Sequence, residues 1–337
     1  MLCDIIMPVW NNKVITKDCV DSILKNTGTD YTLIIIDNAS DEETRHYLES
    51  IKKEKGLHIQ VIRNNSNLGF VKAVNQGIRH SKAPFICLIN NDTIATRGWL
   101  EGMIKAAQSD TGIGIVNPSS NNLGQKPTDG EPLERYAQHI ASDPFICVEI
   151  GAAIGFCMLI KREVIERIGL FDEIYGMGNF EDTDFSKRAV KEGYKCVRAC
   201  RSYVYHREGS SFRKMGTFED DFRRNREIFE FRWGKPRRIA YVVDSYDENT
   251  LMSLTSESIK LARDGNWVFC FSRQKIPLPA HSNIIPVELG NKRFYLNAVF
   301  MILKKKKRFS EIFVGNENLG RFLERLSFLH KASVRYY

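Results

Sequence analysis

The sequence predicts an α/β protein. A doubly wound, mainly parallel sheet is expected over residues 1–235, and a smaller Rossmann-like α/β domain over residues 236–337. Three observations predict this. Short apolar runs without alternation, the pattern of strands buried on both faces, alternate with amphipathic stretches over about the first ninety residues. Several of those runs end abruptly in Asn/Asp-rich clusters, which parallel strands would gather along one edge. After Gly234-Lys235-Pro236 the strand–helix alternation starts again.

Asp4–Val9 reads as a buried strand, followed by the loop Trp10-Asn11-Asn12 and a helix from Thr16 with Cys19, Val20, Ile23 and Leu24 on its apolar face. Thr32–Ile36 is a second strand, and Glu42–Lys55 a helix. His58–Arg63 is a third strand, Phe70–His80 a helix, and Phe85–Ile89 the central strand. Residues 117–142 are polar and rich in Asn, Gly and Pro, and read as one long loop. Gly151–Ile160 reads as a buried strand with small residues for close approach. A short helix closes at Gly169, and another runs from the acidic cluster Glu181-Asp182-Thr183-Asp184 to Gly193. Lys195–Ala199 is a strand leading toward Tyr205-His206. Phe218, Phe222, Phe229 and Trp233 share a helix face, expected to pack on the sheet in preference to a membrane surface. In the tail, strands are expected at Arg238–Asp244, Trp267–Phe271, Ile284–Leu289, Glu311–Val314 and Ser333–Tyr337. Helices are expected at Asn249–Arg263, Phe294–Lys307 and Glu317–His330.

Composition narrows the function classes. No apolar run approaches the roughly 18 residues that span a bilayer, and the first residues lack the pattern of a signal peptide. The eight cysteines are scattered and form no paired zinc-site spacing. A cytoplasmic protein with reduced thiols is therefore expected. The net charge of +8 suits an anionic ligand or an acidic membrane face. No aromatic-and-basic RNA motif appears, so nucleic acid is not an expected partner.

The chemistry-bearing residues sit at the predicted strand ends. Asn90-Asn91-Asp92 could place hard oxygen ligands on magnesium, manganese or a ribose, or be a simple Asn/Asp turn. Along the same edge, Asp37 could meet a base or ribose, Asn67 and Gly69 a sugar, and Lys72 a phosphate. Lys72 reads more readily as a solvated helix lysine. Glu181 and Asp182 begin a helix. They could be cap residues, or Asp182 could be a general base kept ionised by the helix dipole. Asp184 and Glu181 are the next candidates for that role. His206 is a possible metal ligand or a packed histidine.

Residues 4 to about 212 resemble family 2 glycosyltransferases of the GT-A fold, with likeness to bacterial surface-polysaccharide enzymes such as rhamnosyltransferases. The resemblance is carried by Met7-Pro8-Val9-Trp10-Asn11, Ile36-Asp37-Asn38-Ala39-Ser40, Asn67-Leu68-Gly69-Phe70, Asn90-Asn91-Asp92, Gly155-Phe156-Cys157-Met158, Phe180-Glu181-Asp182-Thr183-Asp184 and Tyr205-His206. It implies inverting transfer of a hexosyl or deoxyhexosyl group from a nucleoside-diphosphate sugar to a glycan, lipid-linked or protein acceptor. Pro8, Val9, Asp37, Asn67, Gly69, Lys72, Asn90 and Asn91 would line the donor. Asp92 and His206 would hold Mn2+ or Mg2+, Asp182 would be the base and Glu181 its neighbour. Asn90 stands where the family more often has aspartate. A sugar nucleotidyltransferase would need a glycine-rich phosphate loop after the first strand, which is missing. A non-catalytic nucleotide-sugar-binding or scaffold protein is the remaining alternative. The tail loosely resembles the opening half of a second, GT-B-type glycosyltransferase, or is a small accessory domain. Its basic run Lys304–Arg308 could touch an anionic membrane or be a solvated helix end.

Overall fold

The computed structural model describes residues 1–53, 58–207, 218–304 and 306–337. The expected helix end near Lys55, the stretch Glu208–Ser211, the Phe218 side chain and Lys305 lie outside the described residues. The chain forms two compact units. One is Met1–Val148 with Ala152–Trp233; the other is Gly234–Tyr337 with Glu149–Gly151.

The first unit begins β1 (Cys3–Val9), α1 (Lys13–Asn26), β2 (Tyr31–Asp37), α2 (Glu42–Lys52), β3 (Ile59–Arg63), α3 (Phe70–His80) and β4 (Phe85–Ile89). These four strands pair in parallel, β3-β2-β1-β4, with Ile5 opposite both Leu33 and Cys87. Both faces are covered. Ile5, Met7 and Val9 pack with Cys19, Val20 and Ile23 of α1 in one core. On the other face Gly77 of α3 lies so close to Ile6 that a Cβ would sit 2.4 Å from Ile6 Cγ2. Any side chain there would force helix and sheet apart.

The chain continues as β5 (Thr93–Ala95), α4 (Trp99–Gln108), β6 (Ile113–Ser119), α5 (Leu133–Ala141), β7 (Cys147–Glu149), β8 (Cys157–Lys161), α6 (Arg162–Ile168), α7 (Glu181–Lys191), β9 (Lys195–His206) and α8 (Phe218–Trp233). β8 is inserted antiparallel between β4 and β6, and β9 returns parallel to β6. The sheet is thus mixed but mainly parallel.

Three expectations need correction. Residues 117–142 are not one loop: β6 runs to Ser119 and α5 occupies Leu133–Ala141. The strand expected at Gly151–Ile160 begins only at Cys157, because Gly155 and its neighbours form a turn whose amides serve the site described below. The helix expected at Glu317–His330 is broken at Leu326.

The second unit contains β10 (Arg238–Val243), α9 (Glu248–Arg263), β11 (Trp267–Ser272), β12 (Ile284–Glu288), α10 (Phe294–Lys304), β13 (Glu311–Val314), α11 (Glu317–Arg325), α12 (Ser327–His330) and β14 (Ser333–Tyr336). Its sheet, β12-β11-β10-β13-β14, is parallel throughout. Strand alternation divides two cores: Ala240 and Val242 face α10 and α11, while Ile239, Tyr241 and Val243 face α9.

Candidate active site

β4 ends at Ile89, and the following residues leave the sheet edge separately. The Asn90 N–H donates to the Phe156 carbonyl at 2.8 Å. The Asn91 amide donates to Thr16 Oγ1 at 2.9 Å, which ties it to α1. Asp92 is buried. β5 pairs antiparallel with the end of β9, placing Thr93 opposite His206. That register brings His206 Nε2 to 3.0 Å from Asp92 Oδ1. The Asn122 amide meets His206 Nδ1; with Asn122 donating, the ring proton resides on Nε2 and is shared with Asp92. Asn121 grips the His206 backbone with two hydrogen bonds of 2.8 Å, and Phe156 stacks on the imidazole at 5.2 Å. The ring is fixed on one face and at both nitrogens.

A carboxylate and an imidazole at hydrogen-bond distance form a donor pair that fits a divalent cation once the shared proton leaves. No group of three or more His, Cys, Asp or Glu gathers in this way among the described residues. Two protein ligands leave the other positions to phosphate oxygens and water, the usual arrangement for magnesium at phosphates.

The remaining donor-edge residues form a frame. Pro8 is half-buried, and the Val9 carbonyl accepts from Asn38 N–H at 2.8 Å, tying β1 to β2. Asp37 is buried, and its carboxylate pairs with Arg63 and accepts from Ser40 N–H at 2.9 Å. Asn67 Oδ1 accepts from Asn38 Nδ2 at 2.7 Å and from Gly69 N–H at 2.9 Å. Gly69 has φ +86°, and a Cβ there would lie 3.0 Å from the Gly176 carbonyl. Only glycine suits that conformation and spacing. Lys72 is exposed on α3.

Opposite this frame lies the start of α7. Gly176, Gly178, Asn179 and Phe180 all have positive φ, the last at +74°. For a bulky residue such as Phe180 this is a strained backbone. Phe180 is held by Phe222 and Phe229 of α8, with ring centroids 5.3 and 5.4 Å away. The turn delivers Glu181 and Asp182 inward. Asp182 Oδ2 accepts from Gly155 N–H at 2.8 Å, and Oδ1 accepts from Thr183 N–H at 2.6 Å and Thr183 Oγ1 at 3.1 Å. Glu181 is buried, and its Oε2 has no hydrogen-bond partner.

Ionisation differs from the sequence expectation. Burial raises the Asp182 carboxyl above its ordinary value, against the pull of the Gly155 and Thr183 donors. Burial raises Glu181 well above its ordinary value, and the Asp182 charge adds to this. The helix start does not dominate. With the donors concentrated on Asp182 and none on Glu181 Oε2, negative charge is favoured on Asp182 over Glu181. Asp184 is removed from candidacy: it is buried under Arg188, Arg232 and Trp233, with bonds of 3.0, 2.8 and 2.8 Å.

Asn90, His206, Glu181 and Asp182 line one cavity of about 380 Å³, together with Phe156 and Phe222. Asp92 reaches it through His206. The other expected donor residues are not among its lining. Sequence reasoning missed Asn121 and Asn122, which orient the histidine. Their signal was present, since Ser119-Ser120-Asn121-Asn122 is another polar cluster at a strand end.

Comparison with known proteins follows the same lines. The profile of Glycosyl transferase family 2 matches residues 4–169. EpsJ of Bacillus subtilis, an uncharacterized glycosyltransferase, is 23% identical over 219 residues, covering 61% of this chain and 61% of that protein. The O-antigen biosynthesis protein RfbC of Myxococcus xanthus is 22% identical over 235 residues, 65% of this chain and 18% of that protein. The chain therefore covers less than two thirds of either relative's length. The mannosyltransferase PcManGT of Pyrobaculum calidifontis, in complex with GDP-Man and Mn2+, superposes with a TM-score of 0.50 at 16% identity, over 62% of this chain and 58% of that one. Its likeness is one of fold. The profile match over residues 4–169 and the shared fold make the first unit of this chain similar to glycosyl transferase family 2.

Proposed function

We propose that the first unit transfers a glycosyl group, with inversion, from a nucleoside-diphosphate sugar to a hydroxyl of a surface-polysaccharide acceptor. The observation that carries this reading is the single cavity with the Asp92–His206 pair behind one wall and Asp182 on the other. In one displacement the acceptor oxygen bonds to the anomeric carbon, the bond from that carbon to the diphosphate breaks, and the acceptor proton passes to Asp182. The raised carboxyl of Asp182 makes it a stronger base than a solvated aspartate, and the donors on Oδ1 and Oδ2 hold its orientation. Glu181, protonated and unpaired at Oε2, keeps a second charge out of the cavity. Asp92 and His206 would hold a divalent cation, whose charge stabilises the leaving diphosphate. The GDP-Man bound by PcManGT and the O-antigen biosynthesis role of RfbC support a nucleotide sugar and a polysaccharide product.

The test is release of nucleoside diphosphate from a panel of nucleotide sugars by the full chain with Mn2+ or Mg2+. Release from at least one donor, abolished by Asp182→Asn when acceptor is supplied, is expected. Saturable donor binding with no release from any donor or acceptor would make the protein a binding module and overturn the assignment.

A further inference from the structure

α10 has two apolar faces, and only one is used. Phe294, Ala298, Val299 and Ile302 are buried in the core of the second unit. Leu296, Phe300 and Leu303 fall on the opposite side at helical spacing, and Leu296 and Phe300 are 61% and 57% exposed. α12 adds Phe328, 70% exposed, and Leu329. Isolated exposed apolar side chains need no explanation, but a stripe along one helix does.

The charge around the stripe identifies what it meets. From Leu289 to Ser310 the sequence holds seven basic residues and no acidic one. Lys292 and Arg293 precede the helix, Lys304 lies in its last turn, and the sequence goes on with Lys305 to Arg308. All the described members are exposed. Lys304 Nζ lies 5.2 Å from the Phe300 ring centroid, so a cation already borders the apolar stripe. A second copy of this chain would bring the same positive clusters against themselves, because a symmetric contact buries like against like. An anionic lipid surface instead offers an apolar layer for Leu296, Phe300 and Leu303 and phosphates for the flanking lysines, whose long stems reach outward.

We propose that this face of the second unit is a peripheral docking surface for an anionic bilayer. It is independent of the transferase reading and survives if that reading fails. The helix would lie in the plane of the interface. It is far too short to span, and no helix among the described residues is long and apolar enough to cross a membrane.

The experiment is co-sedimentation of the full chain with phosphatidylcholine vesicles, with and without about 30% phosphatidylglycerol, at low salt. Binding to the anionic vesicles only is expected. The triple variant Lys306→Gln, Lys307→Gln, Arg308→Gln should lower partitioning by roughly a hundred-fold at low salt, at about five-fold per charge. Raising salt should release the wild type, since charge attraction is screened within a Debye length. Leu296→Ser with Phe300→Ser should abolish binding. The charge variant alters only exposed side chains, so it keeps the test decisive if the apolar variant unfolds. Absence of binding to anionic vesicles overturns the proposal. So does binding indifferent to salt and to the charge variant. Concentration-dependent dimers without vesicle binding would assign the face to a second copy instead.

Discussion

Two adjacent carboxylates with unequal surroundings dominate the residue scale. Asp182 has three donors, and Glu181 has a buried oxygen with none. Asp182→Asn keeps shape and removes basicity, so kcat should fall about 10²–10⁴-fold with donor affinity retained. Isothermal titration beside turnover measurements separates the two effects. Because Asp182 must be ionised to act and its carboxyl is raised, activity should decline on the acid side at a higher pH than a solvated aspartate would give. Glu181 makes the complementary case through stability. A carboxyl raised on folding holds its proton more tightly in the native state. Its contribution is therefore full below its unfolded value near about 4.3 and is lost as pH rises through the folded one. Glu181→Gln should thus raise the melting temperature relative to wild type in alkaline buffer and not at pH about 4. Equal shifts at both pH values would show that Glu181 is not the protonated partner. Across the cavity, Asp92→Ala should weaken Mn2+-dependent nucleoside-diphosphate binding by more than about tenfold. Full activity in excess EDTA would refute the cation site. Asp92 was legible in the sequence as a polar residue at the end of an apolar run, and Glu181 and Asp182 as the acidic start of a helix. The ionisation of Asp182 was not legible, since it depends on burial that only packing supplies.

At the scale of elements, α7 and α8 act as one piece. Asp184 on α7 accepts from Arg188 of the same helix and from Arg232 and Trp233 at the end of α8. Asn225 of α8 donates to the carbonyls of Tyr175 and Gly178, clamping the strained turn before Glu181. Asp184→Ala should cost about 2–4 kcal/mol, less than a fully buried pair because Arg188 and Arg232 reach water. A midpoint shift at unchanged denaturant slope is the measurement. Loss of activity is expected to follow loss of the turn, since Phe180 is held at positive φ by its packing on Phe222 and Phe229 of α8. The alternation of β1 to β4 with α1 to α3 was readable because strands buried on both faces leave unbroken apolar runs. β6 was overlooked for an equally physical reason. Ile113–Ser119 contains Gly114 and Pro118, which locally signal a turn. Packing overrides that signal: a Cβ at Gly114 would lie 2.7 Å from Val164 Cγ2, so the strand needs glycine where α6 crosses it. Gly151–Gly155 misled in the opposite direction, because small apolar residues satisfy a strand pattern even where the backbone turns.

For the whole molecule, the described cavity lies within one of the two units. All the cavity's lining residues belong to the first. A fragment of residues 1–235 that remains folded should retain donor hydrolysis, and a fragment of residues 236–337 should have none. Sugar transfer by the second fragment would establish another enzyme there. Much of what assembles the cavity comes from a single strand running against its neighbours. β8 is antiparallel to β4, so Phe156, just before β8, meets Asn90, just after β4, at 2.8 Å. Had β8 run the other way, its first residue would stand about 14 Å off, at the far end of a five-residue strand. Gly155 could not then reach Asp182. The proximity of Asp182 and Asn90 is thus a property of strand polarity and not of loop length. It follows that the part of the connection between β6 and β8 lying between Asn122 and Gly155 can be lengthened, shortened or exchanged while Asn90 and Asp182 keep their separation.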